Sequence, residues 1–310
     1  MSKSLISNET GRLLKKYRLL YLFMVPGFVT LFLFAYMPMF GLVMVFQQYD
    51  PVSGFLGSEW VGLENFQRVF GSPVFSRALR NTIVISGLKL LIGFPMPIIF
   101  SLMLNELRQQ RFKRTVQTIV YIPNFVSWVI VAGVWYSMLS SEGVVNQVLM
   151  NLGLIEESIL FMQRKDLFYP IIIFTDLWKT LGYSTIFYMA AITTIPVEHY
   201  EAAMIDGASR WRQAIHITLP VLSGTIALLF IMAVGGLLNA GFDQMWTMGN
   251  LAVRDIADIL DTAVLRTLTS GSVNDLSIGA ALGMFKSGVG LMLFFITNWV
   301  SRKLLNESLV

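Results

Sequence analysis

Ile195-Pro-Val-Glu-His-Tyr-Glu-Ala-Ala-Met-Ile-Asp-Gly-Ala-Ser-Arg-Trp-Arg-Gln-Ala-Ile-His-Ile-Thr-Leu-Pro220 separates two long apolar runs. Pro196 suits the first turn of a helix, and Glu198 and Glu201 would lie close to its positive end. Gly207 is expected to close that helix with a positive φ. Ala208 to Leu219 then predicts a second short helix, with Pro220 turning the chain into the next apolar run. The product would be a helix-turn-helix against one membrane face. Small Ala202, Ala203, Gly207 and Ala208 leave room for another backbone, and Met204, Ile205 and Trp211 offer apolar anchors, a shape suited to a partner's groove. On spacing alone, an interfacial amphipathic helix that only pads a bundle fits equally well.

Outward from this stretch the chain becomes uncommonly apolar. Of 310 residues 55% are hydrophobic and 14% charged, with a mean hydropathy of +0.64. Soluble domains carry about a quarter charged residues, so lipid is part of the solvent here. No cysteine and two histidines occur, which removes disulfides and thiolate chemistry and argues against a histidine-rich metal centre. A bilayer core takes about 20 apolar residues of helix. Six spans meet that need, at about 19–46, 81–104, 115–141, 167–197, 213–242 and 276–301, so an all-α membrane protein with six transmembrane helices is expected. Basic residues including Arg12, Lys15 and Lys16 precede the first span. That span is too long for a signal-peptide core and lacks a small-x-small cleavage pattern, so it is read as retained. Pro26, Pro38, Pro95 and Pro97 predict kinks rather than ends.

Placing the N-terminus inside puts 13 Lys and Arg residues on the cytoplasmic side and 7 outside, which orients both termini inward. Residues 1–18 become a cytoplasmic basic tail, 19–301 the permeation domain with a loop at 196–220, and 302–310 a second tail. The net charge of +4 is thus a matter of topology, and nucleic acid is not an expected partner, whereas membrane lipid is. The connection Asp243–Asp275 is expected as the largest outer loop, with Asp255, Asp258 and Asp261 on one solvated helix face.

Glu201-Ala202-Ala203, then Asp206-Gly207-Ala208, then Ile217-Thr-Leu219-Pro220 resembles the EAA loop of permease subunits in binding-protein-dependent ABC importers. Tyr121-Ile-Pro-Asn-Phe-Val-Ser127, Gly133-Val-Trp135 and Gly143-Val-Val-Asn146 are similar to the carbohydrate-uptake branch of that family, and the likeness runs from Tyr17 to the C-terminus. The resemblance implies a type I ABC importer permease fold in the bacterial cytoplasmic (inner) membrane and a role in sugar or oligosaccharide import. It implies a second permease subunit, with a heterodimer expected, two ATPase subunits and an extracytoplasmic sugar-binding protein. The coupling residues it points to are Glu201, Ala202, Ala203, Met204, Asp206, Gly207, Ala208, Leu219 and Pro220. No G-x-x-x-x-G-K-[ST] loop occurs, so ATP and Mg are expected in a separate ATPase and no cofactor or catalytic residue in this chain. The same machine for another solute is the nearest alternative. A secondary transporter would want inverted repeats, which are not evident.

Charges inside spans mark candidate substrate-path residues, since each costs roughly 2.5–3.5 kcal/mol on insertion scales. Asp176 and Lys179 lie three apart on one helix face and read equally as a self-neutralising pair or as a polar path. Trp178 and Tyr183 offer ring faces to sugars. The resemblance places further contacts at Asn239 and Phe242, to which Asp243 and Gln244 are added. Lys286 leans toward a small-residue seam of Gly279, Gly283 and Ser287, and Lys89 is expected to reach the outer headgroups.

Overall fold

The computed structural model describes residues 16–269 and 273–305. Arg12, Lys15 and the end of the C-terminal tail lie outside them. The long helices are α1 (Arg18–Phe46), α2 (Pro73–Asn105), α3 (Gln110–Phe125), α4 (Trp128–Met138), α5 (Lys165–Ile192), α6 (Val197–Ile205) and α7 (Arg210–Gly235). They are followed by α8 (Phe242–Met248), α9 (Leu260–Leu268) and α10 (Val273–Leu305). Four helices are each long and apolar enough to cross a membrane, and six spans result if the bent pairs α3–α4 and α5–α6 count as one each. Only 6–22% of the apolar windows of the four is buried within the chain, so their outer faces are left to lipid or to other subunits.

Proline shapes these helices by a repeated device. A π turn ends two residues before Pro38, Pro95 and Pro220, at Phe32–Tyr36, Lys89–Gly93 and Ala214–Thr218. Proline has no N–H for the carbonyl four residues back and its ring crowds that carbonyl; a locally wider turn relieves the clash. The expected kinks at Pro38 and Pro95 take this form. The expected turn at Pro220 does not occur. The helix from Arg210 runs through the π turn into the following span, so Leu219 and Pro220 belong to a continuous helix rather than to a loop.

Two stretches depart further from the sequence reading. The third span is broken at Val126–Ser127, where α3 and α4 meet at 103°. The supposed outer loop after the fifth span is largely core. Helix α7 ends at Gly235, and Gln244, Met245, Met248, Val253, Ile259 and Leu260 are all buried. Its backbone is held by polar side chains of α2. The Asn81 amide donates to the Asp255 and Asp258 carbonyls at 2.9 Å each, and Thr82 Oγ1 accepts from the Leu260 N–H at 2.9 Å.

The aspartate row is therefore not one solvated face. Asp258 is 4% exposed and paired with Arg254 and Arg266, at 3.2 and 3.1 Å, while Asp261 pairs with Lys286. Asp255 alone stays out, 2.7 Å from Lys165, whose ammonium holds that carboxyl below the usual carboxylate range. The small-residue seam of α10 is also divided: a side chain at Gly279 would strike Leu268, whereas Gly283 faces open space, and the close approach to α7 is made by Gly290 against the Gly235 carbonyl.

Helices α3 and α5 touch through Gly182. A Cβ there would overlap the Val120 carbonyl and crowd the Tyr121 ring. Gly182→Val should destabilise the protein by about 1–3 kcal/mol, because backbone blocks the added methyls. Gly133→Val, at a position with nothing within 4 Å, is the matched control. Thermal unfolding of the two variants in detergent reads the difference, and equal midpoints would remove the contact from the account.

Candidate functional site

Helix α6 is a short, exposed element with a well-defined end. The Ala208 N–H bonds the Ala203 carbonyl at 2.8 Å and the Gly207 N–H bonds Met204 at 3.1 Å, a Schellman closure. Gly207 carries the left-handed φ of +74° that this closure requires, which a side chain would strain. Ser209 then caps the next helix by accepting from the Arg212 N–H, and the Gln213 amide donates to the Ala208 carbonyl at 3.0 Å. Arg210 reaches Glu106 in the neighbouring connection at 3.3 Å, and Tyr200 bonds Thr218 at 2.9 Å. The corner is thus fixed from both sides.

Its outward surface is apolar. Ile205 is 87% and Trp211 74% exposed, and Glu201, Ala202, Met204 and Asp206 are exposed beside them. Ala203 and Ala208 are half-buried. Glu201 has no ion pair among the described residues. Large apolar side chains concentrated at one exposed corner suit contact with a protein or with the membrane surface.

Within the spans the expected charge pairing is replaced by another. Asp176 does not pair with Lys179. Its carboxylate accepts from Lys89 at 2.8 Å, and Lys89 also donates to Gln244 Oε1 at 2.6 Å. Lys89 therefore does not reach the headgroups. The reason is geometric: residues three apart share a helix face, but Lys179 is turned into the α3–α4 break, where the helical hydrogen-bond ladder is interrupted. Its ammonium donates to Pro123, Asn124 and Val126 at 3.2, 2.8 and 2.7 Å and lies 5.6 Å from the centre of the Trp128 ring.

Gln244 is fully buried and continues the network, donating to the Ile172 carbonyl at 2.8 Å and to Thr175 Oγ1 at 2.9 Å. The structure so gathers Asp176 and Gln244 with Lys89, which the sequence reading had set aside. Asn239 lies exposed in the turn between α7 and α8 and shares a cavity of about 470 Å3 with Lys286. Phe242 stacks on Trp246 with centroids 5.9 Å apart, and Asp243 is exposed. Trp178 and Tyr183 are each about two-fifths exposed along α5; Trp178 meets Trp135 edge-on and Tyr183 meets Phe187 edge-on. The overlooked member is Lys89. A lysine in mid-span is itself a signal, since it must find an acid or a wet cavity.

These features define a polytopic helical membrane protein with an exposed glycine-ended corner and polar groups buried between its spans. Residues 93–306 match the family model described as the binding-protein-dependent transport system inner membrane component, and the chain belongs to that family. Protein LplB of Bacillus subtilis is 42% identical over 96% of this chain and 92% of its own length. The polygalacturonan/rhamnogalacturonan transport system permease protein YteP of the same organism is 42% identical, over 94% and 89%. A crystal structure of a bacterial ABC transporter involved in the import of the acidic polysaccharide alginate contains a chain that matches with a TM-score of 0.86 and 37% identity, over 96% of this chain and 99% of that one.

Proposed function

We propose that this chain is a permease subunit of an ATP-driven oligosaccharide importer, forming half of the translocation path. The observation that carries this reading is the α6 corner, which offers Met204, Ile205 and Trp211 to a cytoplasmic partner from a rigid Schellman frame. YteP and an arabinooligosaccharides transport system permease protein of Bacillus subtilis, 26% identical over 92% of this chain, name saccharides, which supports the substrate class. ATP and Mg would be bound by two separate ATPase subunits. Closure of those subunits on ATP would carry α6 with it, and α7, continuous from Arg210 into the membrane, would pass the displacement to the buried network. A second permease subunit, different from this one, would complete the path, and an extracytoplasmic sugar-binding protein would deliver the substrate. Both termini would face the cytoplasm.

Purification through a tag on this chain should return an ATPase, and saccharide-loaded binding protein should raise its hydrolysis rate. Glu201→Lys should leave membrane insertion intact but reduce transport-coupled hydrolysis at least about tenfold, because a reversed charge at a desolvated contact costs more than 1.4 kcal/mol. Wild-type coupling in that variant would sink the assignment of α6.

A further inference from the structure

The ends of several spans meet behind the α6 corner. Helix α2 stops at Asn105, α3 begins at Gln110, α5 stops at Ile192 and α7 begins at Arg210, and a cavity of about 680 Å3 opens among them. Ile205 and Trp211, the most exposed large apolar side chains of the corner, do not line it, so it is separate from the outward surface of α6. Its wall has two chemistries. Met189, Ile192 and Ile195 supply a buried apolar side, and Arg108, Lys113 and Arg210 supply a cationic one.

The charges do not balance. Glu106 is the one acid among the described lining residues, and Arg210 takes it up at 3.3 Å. Arg108, which is exposed, and Lys113, which is half-buried, have no acidic partner among the described residues. Glu198, Glu201 and Asp206 of the neighbouring α6 are exposed and lie outside the lining. Arg111 and Arg114 at the start of α3 are exposed and also unpaired among the described residues, with Phe112 53% exposed beside them, the pattern of a basic amphipathic helix at a membrane surface.

A free inorganic anion would use the cations and not the apolar wall, whereas a neutral lipid would use the wall and not the cations. A phosphodiester carrying acyl chains uses both, and the ends of spans lie at the level of the lipid headgroups. We propose that Arg108 and Lys113, with the apolar wall of Met189, Ile192 and Ile195, form a binding site for an anionic phospholipid, its headgroup on the two unpaired cations behind α6. The site does not depend on the importer reading above.

The test titrates the complex purified through this chain, in neutral detergent, with short-chain phosphatidylglycerol, phosphatidylcholine or inorganic phosphate, and counts bound lipid by native mass spectrometry. Phosphatidylglycerol should be retained, phosphatidylcholine should not, and phosphate at equal concentration should fail to displace it. Arg108→Gln combined with Lys113→Gln should raise the half-saturating phosphatidylglycerol concentration about thirtyfold, the worth of two cations at a lipid surface. Arg111→Gln combined with Arg114→Gln removes the same charge outside the cavity and should change it by less than about threefold. Neither pair removes an ion pair within the described residues, so folding is spared in both. Equal losses in the two pairs would reduce the site to a general basic surface and overturn it. Equal retention of phosphatidylcholine, or displacement by phosphate, would overturn it as well, the latter by marking a site for a free anion.

Discussion

Lys179→Met is expected to lower the thermal midpoint of the purified protein by about 5–10 °C, corresponding to about 3 kcal/mol in a chain of this size. The lysine closes the bend between α3 and α4. Where the helix breaks at Val126–Ser127, the Pro123 carbonyl keeps a bond from the Val126 N–H at 3.2 Å, and one buried ammonium meets the Asn124 and Val126 carbonyls while also reaching Pro123. Methionine keeps most of the length and apolar bulk but takes the ammonium away from the Asn124 and Val126 carbonyls. Lys179→Arg should recover part of the loss, since guanidinium donors reach the same oxygens. A methionine variant as stable as the wild type would show that the bend is held by packing alone.

Lys89→Met should be comparably severe, at about 3–5 kcal/mol, because it strands the Asp176 carboxylate, which is only about one-fifth exposed, and removes a partner from Gln244. The diagnostic result is recovery. Lys89→Met combined with Asp176→Leu should regain much of the stability, since no charge is then left unpaired. A double-mutant cycle between Asp176 and Lys89 should give a larger coupling than one between Asp176 and Lys179, although the latter two are nearer in sequence. Folded yield in membranes and thermal midpoint in detergent both read this. Equal couplings in the two cycles would return Asp176 to Lys179.

Much of the architecture is legible in the residues themselves. The membrane class follows from charge depletion, and the spans from apolar runs of sufficient length, because lipid obliges backbone groups to pair within a helix and so makes the signal local. The α6 corner is equally local: Gly207 supplies the φ that ends a helix, and Ser209 caps the next. Proline positions foretell distortion for the same reason, although not its form. At Pro220 a π turn keeps the helix continuous where an end was expected.

What the sequence by itself determined, then, is the set of elements whose causes lie within a few residues: six apolar spans, a glycine-ended helix between the fourth and fifth, and the family pattern on it. Tertiary structure alone decided the partners of the buried charges. Asp176 lies three residues from Lys179 and 87 from Lys89, yet bonds the latter, because the carbonyls at the α3–α4 break hold the Lys179 ammonium. It also decided that the stretch after α7 folds inward, where Asn81 and Thr82 of a distant helix satisfy its backbone. A buried polar group is satisfied by whichever donor the packed helices bring within about 3 Å, and that proximity is a property of the assembled bundle rather than of any stretch of chain.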